Sequence, residues 1–138
     1  MFRMEADATD QEAAALRYAD LLTDLIDVLL LGVGEDVHIA SLFPNNASLQ
    51  ERKRRVIPIT GPKPPFKRLT ITPQVIAKER SVFMLATRSA KAAMLFVALN
   101  NPNDIAALPA RLKLGGTWLM DHLPHLNNNA FIKKLNFT

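Results

Sequence analysis

Leu29-Leu-Leu-Gly-Val-Gly-Glu-Asp-Val-His-Ile-Ala-Ser-Leu-Phe-Pro44 joins an apolar run to a glycine-bearing turn and carries one carboxylate and one imidazole into the same short loop. The run begins at Leu25 and is interrupted only by Asp27 before it ends at Leu31. Its length and its flanking glycine predict a buried parallel strand. Gly32 and Gly34 then break it, glycine at these points allowing positive φ and a close approach of backbone to a ligand. The chain resumes as Ile39-Ala-Ser-Leu-Phe43, a segment compatible with a short helix and closed by Pro44. Functional groups in open α/β sheets collect at such strand ends.

Asp36 and His38 are two positions apart, so in an extended turn their side chains project to the same side. Imidazole titrates near neutrality and can take a proton from water, while a neighbouring carboxylate fixes its tautomer and favours its charged form. The pair suits hydrolysis or proton transfer. Spacing alone also fits a hydrogen-bonded loop histidine beside a turn aspartate, and leaves both roles open.

Working outward, the hydrophobic period predicts a helix from Asp10 to Asp24, capped by Thr9 or Asp10, with Ala14, Leu16, Ala19, Leu22 and Leu25 on its apolar face. Arg55 to Ile59 and Arg68 to Thr72 read as short β-branched strands, separated by a proline-rich segment that holds the linker extended. Pro73 to Lys78 is expected to be a short helix, Ser81 to Thr87 a second apolar strand, Ser89 to Asn100 a helix, and Pro102 to Leu112 another. Strand and helix in this rhythm predict an α/β fold with a mostly parallel sheet flanked by helices. Past Asp121 the sequence turns polar and loses its period, so residues 122–138 are expected to form an irregular tail and residues 1–121 the folded portion.

Composition narrows the function classes. The chain has 138 residues, 49% of them hydrophobic, enough for one domain with a core of its own. It has no cysteine, which removes disulfides, thiolate metal sites and a cysteine nucleophile. No apolar run approaches the roughly 20 residues that span a bilayer, and the first 24 residues lack a secretory pattern; the expectation is a cytoplasmic protein without a membrane role. The net charge is +4, with Arg52-Lys-Arg-Arg55 the densest cationic run. No aromatic residues interleave with that run to stack bases, so a solvated edge is expected rather than nucleic-acid binding. A positive balance also suits an anionic sugar-phosphate substrate.

Arg68 and Lys91 are the candidate anion-binding cations. Lys91 falls in the first turn of its predicted helix, where free N–H groups and the helix dipole attract anions. Arg68 follows three prolines and can fork onto phosphate oxygens, or serve as an ordinary strand-edge charge. His122 and His125 have no third ligand placed to complete a metal site. Ser41 lacks a G-x-S-x-G elbow and reads as satisfying backbone groups. Trp118, Phe83, Met84, Met94 and Phe96 read as core.

Gly32 to Pro44 closely resembles the glycine, aspartate and histidine loop of the 6-phosphogluconolactonases, which usually run G-x-G-x-D-G-H-T-A-S-L-F-P. Gly61-Pro-Lys-Pro-Pro-Phe-Lys-Arg-Leu-Thr-Ile-Thr72 is similar to the family's S-P-K-P-P-x-x-R-L-T-L-T segment. Val82 to Ala92 resembles its strand and lysine-bearing helix start, and Gly115 to Asp121 its closing tryptophan and aspartate. The likeness covers about residues 3 to 121. It implies a partial Rossmann-like fold, N-terminally truncated and lacking the family's first strands and its serine-glycine-glycine phosphate loop.

The resemblance further implies hydrolysis of 6-phospho-D-glucono-1,5-lactone to 6-phosphogluconate in the oxidative pentose phosphate pathway, without metal or cofactor. His38 becomes the general base and Asp36 its orienting partner. Gly32 and Gly34 belong to the substrate-binding loop, with N–H groups from Gly32 to Glu35 meeting the developing oxyanion, and Arg68 and Lys91 hold the anionic ends of the substrate. One departure stands inside the loop: Val37 occupies the family's glycine position, and a β-branched residue is a poor occupant of positive φ. Two other outcomes are compatible: an inactive fragment whose exposed sheet edge invites self-association, and an aminosugar-phosphate isomerase or deaminase, which Ser41 to Pro44 and Pro62 to Pro65 speak against.

Overall fold

The predicted first helix forms as α1, Gln11–Leu21, because Asp10 caps it: the Asp10 carboxylate accepts the Ala13 N–H at 3.0 Å. The computed structural model describes residues 2–22, 26–87, 97, 98, 101 and 104–120, together with the backbone of Ile132–Lys134. In α1 it is Ala14 and Ala15 that are buried, whereas Leu16, expected on the apolar face, is 60% exposed. The small alanines let the helix lie close against β2.

The first strand, β1, is shorter than the Leu25 to Leu31 run and shifted toward its end, spanning Leu29–Gly32. Leading into it, the Ile26 N–H donates to the buried Glu79 carboxylate at 2.7 Å, so this stretch is held by a side chain instead of by a neighbouring strand. The strand is not buried on both faces: Leu31 is inside and Leu30 is 61% exposed. Two more strands follow, β2 at Val56–Thr60 and β3 at Lys67–Ile71, paired antiparallel as a separate ribbon. The expectation of parallel pairing does not extend to these two, because the short proline segment between them permits a hairpin but no crossover.

Next come α2, Pro73–Lys78, with Pro73 in its first turn as the sequence predicts, and β4, Val82–Ala86. Beyond it lie β5, Thr117–Met120, and β6, Ile132–Lys134. The main sheet has the order β1-β4-β5-β6 with every pairing parallel. One face of it, carrying Leu31, Val82, Met84, Ala86, Trp118 and Met120, enters the buried core. The fold is therefore α/β with a mostly parallel sheet.

Several expected elements differ. Ile39 to Phe43 is no helix but a pair of tight turns, in which Ile39 bridges both Val33 and Leu42. The helix expected over 102–112 contains Pro109, which cannot donate within a helix. The chain instead makes a turn capped by Asp104, whose carboxylate accepts the Ala107 N–H at 2.8 Å, and then a 3₁₀ helix, Pro109–Lys113. The helix expected over 89–100 lies outside the described residues except for Val97 and Ala98, which are helical. Neither β5 nor β6 is anticipated, and β6 places a short strand inside the segment expected to be irregular.

Candidate active site

The loop after β1 continues the sheet for one residue and then folds back on itself. The Val33 N–H donates to Leu85 O at 2.9 Å, the Gly34 N–H to His38 O at 2.8 Å, and the Val37 N–H to Gly34 O at 3.1 Å. Val33, Val37, Ile39, Leu42 and Phe43 are buried and anchor the loop. The Ser41 N–H is held by the buried Thr70 hydroxyl at 3.1 Å, tying the loop to β3. It is the Thr70 hydroxyl, and not that of Ser41 as expected from sequence, that satisfies a backbone group here.

Asp36 and His38 meet as expected, with Asp36 Oδ1 2.5 Å from His38 Nδ1. They do not meet through an extended turn. Val37 between them adopts φ 64°, and this left-handed residue brings its two neighbours together. The conformation costs a residue bearing a Cβ roughly 1–2 kcal/mol, and a β-branched one is least suited to it. Two contacts hold it in place: the Val37 side chain is only 1% exposed within the main core, and its carbonyl accepts the Ala110 N–H at 3.0 Å. The strain predicted from the Val37 departure is present.

Neither glycine of the loop has positive φ, contrary to the reading of Gly32 and Gly34 as conformational breakers. Gly34 is needed for close approach: a Cβ there would collide with the His38 ring and lie 2.7 Å from Asp36 Oδ1. Gly32 has open space where a Cβ would stand. The expected use of backbone N–H groups from Gly32 to Glu35 against an oxyanion is also revised. Those of Val33 and Gly34 are already spent within the fold.

Partial burial raises the Asp36 carboxyl, but the hydrogen bond and charge of His38, joined by the His38 N–H at 3.3 Å, outweigh it and hold the group below its ordinary value. Asp36 is then a carboxylate at neutral pH, which places the proton of the neutral imidazole on Nδ1. Nε2 is left unprotonated, without a protein partner among the described residues.

The pair opens on a cleft of about 590 Å³ at the carboxyl ends of β1 and β4, lined also by Glu35, Phe43, Lys63, Arg68 and Thr87. Arg68 is half-buried there. Its Nε donates to Pro65 O at 2.8 Å and its Nη2 to Lys63 O at 3.1 Å, so the side chain braces the proline segment. Gly61 makes room for it, since a Cβ at that position would sit 2.8 Å from Arg68 Nε. The guanidinium carbon lies 5.3 Å from the centre of the Phe43 ring, whose other neighbour is the His38 ring at 4.7 Å.

The structure therefore brings together Asp36, His38, Gly34 and Arg68 of the residues expected from sequence. Lys91, His122 and His125 lie outside the described residues. Phe43, Lys63 and Thr87 were not singled out as site residues. Lys63 sits inside the proline motif, where its neighbourhood to Arg68 was available as a signal, whereas nothing in the spacing of Phe43 or Thr87 marks them.

Comparison with known proteins gives a consistent result. A family profile described as glucosamine-6-phosphate isomerases/6-phosphogluconolactonase matches residues 1–118. A 6-phosphogluconolactonase of Streptomyces coelicolor is 39% identical over 127 residues, spanning 82% of this chain and 49% of its own length. One of Rattus norvegicus is 40% identical over 122 residues, spanning 83% and 47%. The solved structure of 6-phosphogluconolactonase from Trypanosoma brucei matches with a TM-score of 0.63 at 26% identity, over 83% of this chain and 53% of that one. This chain spans about half the length of the curated relatives it matches. Motif, fold and likeness converge: the chain belongs to the glucosamine-6-phosphate isomerase/6-phosphogluconolactonase family.

Proposed function

We propose that this chain hydrolyses 6-phospho-D-glucono-1,5-lactone to 6-phosphogluconate, a cytoplasmic step of the oxidative pentose phosphate pathway, with His38 as general base. The observation that carries this reading is the 2.5 Å contact between Asp36 Oδ1 and His38 Nδ1, which leaves Nε2 as the basic nitrogen beside the cleft. Nε2 takes a proton from water as its oxygen adds to the lactone carbonyl. The bond from that carbon to the ring oxygen then breaks, and the proton passes from His38 to the departing oxygen. Asp36 stabilises the imidazolium between the two transfers. General base catalysis of this kind is typically worth about 10²–10⁴ in rate.

Arg68 and Lys63 supply positive charge to the same cleft, suited to the phosphate and to the oxyanion. Lys91 is proposed as a further phosphate ligand on the strength of its motif position. The open edge of β1, where Leu30 is 61% exposed, is proposed as the contact for self-association. Proton release from the lactone, followed with the purified chain, tests the function. The expected result is a rate above spontaneous hydrolysis that His38→Ala reduces by about a hundredfold or more. A rate in the unsubstituted chain no greater than the spontaneous one overturns the proposal and leaves an inactive fragment of the family.

A further inference from the structure

We infer that Phe43 is the positioning residue of this site, its ring setting both the plane of the His38 imidazole and the seat of the Arg68 guanidinium. The inference rests on the lactonase reading for its catalytic consequence, but not for its structural one. The Asp36 contact restrains His38 at one atom, Nδ1, and leaves the ring only the swing about its side-chain bonds that this one contact tolerates. The Phe43 ring supplies the second restraint, 4.7 Å away and tilted by 45°. Aromatic rings attract one another at centroid separations of this order, with offset or edge-to-face arrangements favoured over a face-to-face sandwich.

On its other side Phe43 meets Arg68, 5.3 Å from the ring centre to the guanidinium carbon. An arginine over an aromatic face is held by the ring quadrupole. Because Nε and Nη2 of Arg68 are occupied by Pro65 O and Lys63 O, this contact fixes the remaining freedom of the group. One rigid ring, 6% exposed, therefore ties the proton-accepting nitrogen to the cation that faces the substrate. Each group's own hydrogen bonds fix one end of this arrangement, and the Phe43 ring is the contact that spans between the two groups. Gly61 belongs to the same arrangement, since a Cβ there would press to 3.3 Å from Phe43 Cε2. Phe43 touches no reacting atom and acts through its two neighbours.

The test compares Phe43→Leu, which keeps most of the apolar volume, with Phe43→Tyr, which keeps the ring. Three readouts are taken on the full chain, with circular dichroism confirming that both variants fold. The His38 Nδ1 proton, observed by NMR, is expected to stay protected in the tyrosine variant and to be broadened by water exchange in the leucine variant. Affinity for inorganic phosphate is expected to fall about threefold with leucine, from a lost cation–π contact of roughly 0.5–1 kcal/mol, and to be kept with tyrosine. Lactonase kcat is expected to drop about tenfold with leucine and less than twofold with tyrosine. Unchanged proton exchange and phosphate affinity in a folded Phe43→Leu chain overturn the inference. If those two readouts respond but the unsubstituted chain has no lactonase rate, the positioning role stands and the proposed reaction falls. If leucine fails to fold, a tyrosine variant that loses proton protection overturns it, and one that keeps protection and phosphate affinity supports it.

Discussion

Replacing Val37 separates backbone strain from side-chain burial. Val37 has φ 64° and is 1% exposed, so any truncation there removes well-packed carbon. Each buried methyl or methylene is worth roughly 0.8 kcal/mol. On that scale Val37→Ala loses roughly 1.6 kcal/mol, plus a term for the cavity, and keeps the left-handed strain because alanine still has a Cβ. Val37→Gly removes one carbon more and gives the unfolded chain extra freedom, a further loss of about 0.4–1 kcal/mol. Against these it regains the roughly 1–2 kcal/mol of the left-handed conformation. The two variants should therefore be about equally stable.

Val33 provides the reference. It lies in the same loop, is 3% exposed and has no positive φ. There the relief is missing, and glycine should be less stable than alanine by about 1.5 kcal/mol. Urea unfolding of all four variants measures the two differences. The expectation is a gap between glycine and alanine near zero at Val37 and clearly unfavourable at Val33. Equal gaps at the two positions would refute the claim that Val37 is strained.

Gly34→Ala is expected to leave the sheet intact while driving the His38 ring from Asp36, since the added carbon has no room; loss of lactone hydrolysis without a comparable loss of thermal stability checks it. Asp36→Asn keeps the shape but removes the charge that selects the His38 tautomer, and kcat should fall by about 10²–10⁴-fold. Glu51, whose carboxylate accepts the Lys53 and Arg54 N–H groups at 2.8 and 3.1 Å, is held by them at about 2 against an ordinary 4.5. A lowered carboxyl stabilises the fold above its unfolded value and loses that contribution as pH falls. Wild type should therefore exceed Glu51→Gln in stability at neutral pH, and the difference should shrink between pH 4.5 and 2 in acid unfolding curves. Leu30→Lys, at the open edge of β1, should reduce any concentration-dependent association seen by sedimentation.

The local signals of the chain were legible where one residue decides them. Asp10 as a cap, Pro73 opening a helix, and the apolar run within Ser81 to Thr87 each act over a few residues, and each element forms where its signal lies. The misplaced elements are those decided by competition. Leu25 to Leu31 is apolar apart from Asp27, so nothing among Val28 to Leu31 marks where pairing begins, and its register with Val82 to Leu85 sets β1 at Leu29. Ile39 to Phe43 has no residue that forbids a helix, and it is the bridges of Ile39 with Val33 and Leu42 that turn it. The expectation that Asp36 and His38 meet was sound, but the extended turn invoked for it was not.

By itself, then, the sequence determined the chemistry of the loop, one carboxylate beside one imidazole after an apolar strand, and the likeness by which the chain is assigned to its family. Those follow from residue identity and order. Tertiary structure decided the geometry: a left-handed Val37 held by core packing and by Ala110, the collision that reserves Gly34 for glycine, and the Phe43 ring between His38 and Arg68. Each of these depends on groups brought together only by folding, either from distant stretches of chain or across the loop's own return. Their energies arise from contact and exclusion, which the order of residues along the chain does not express.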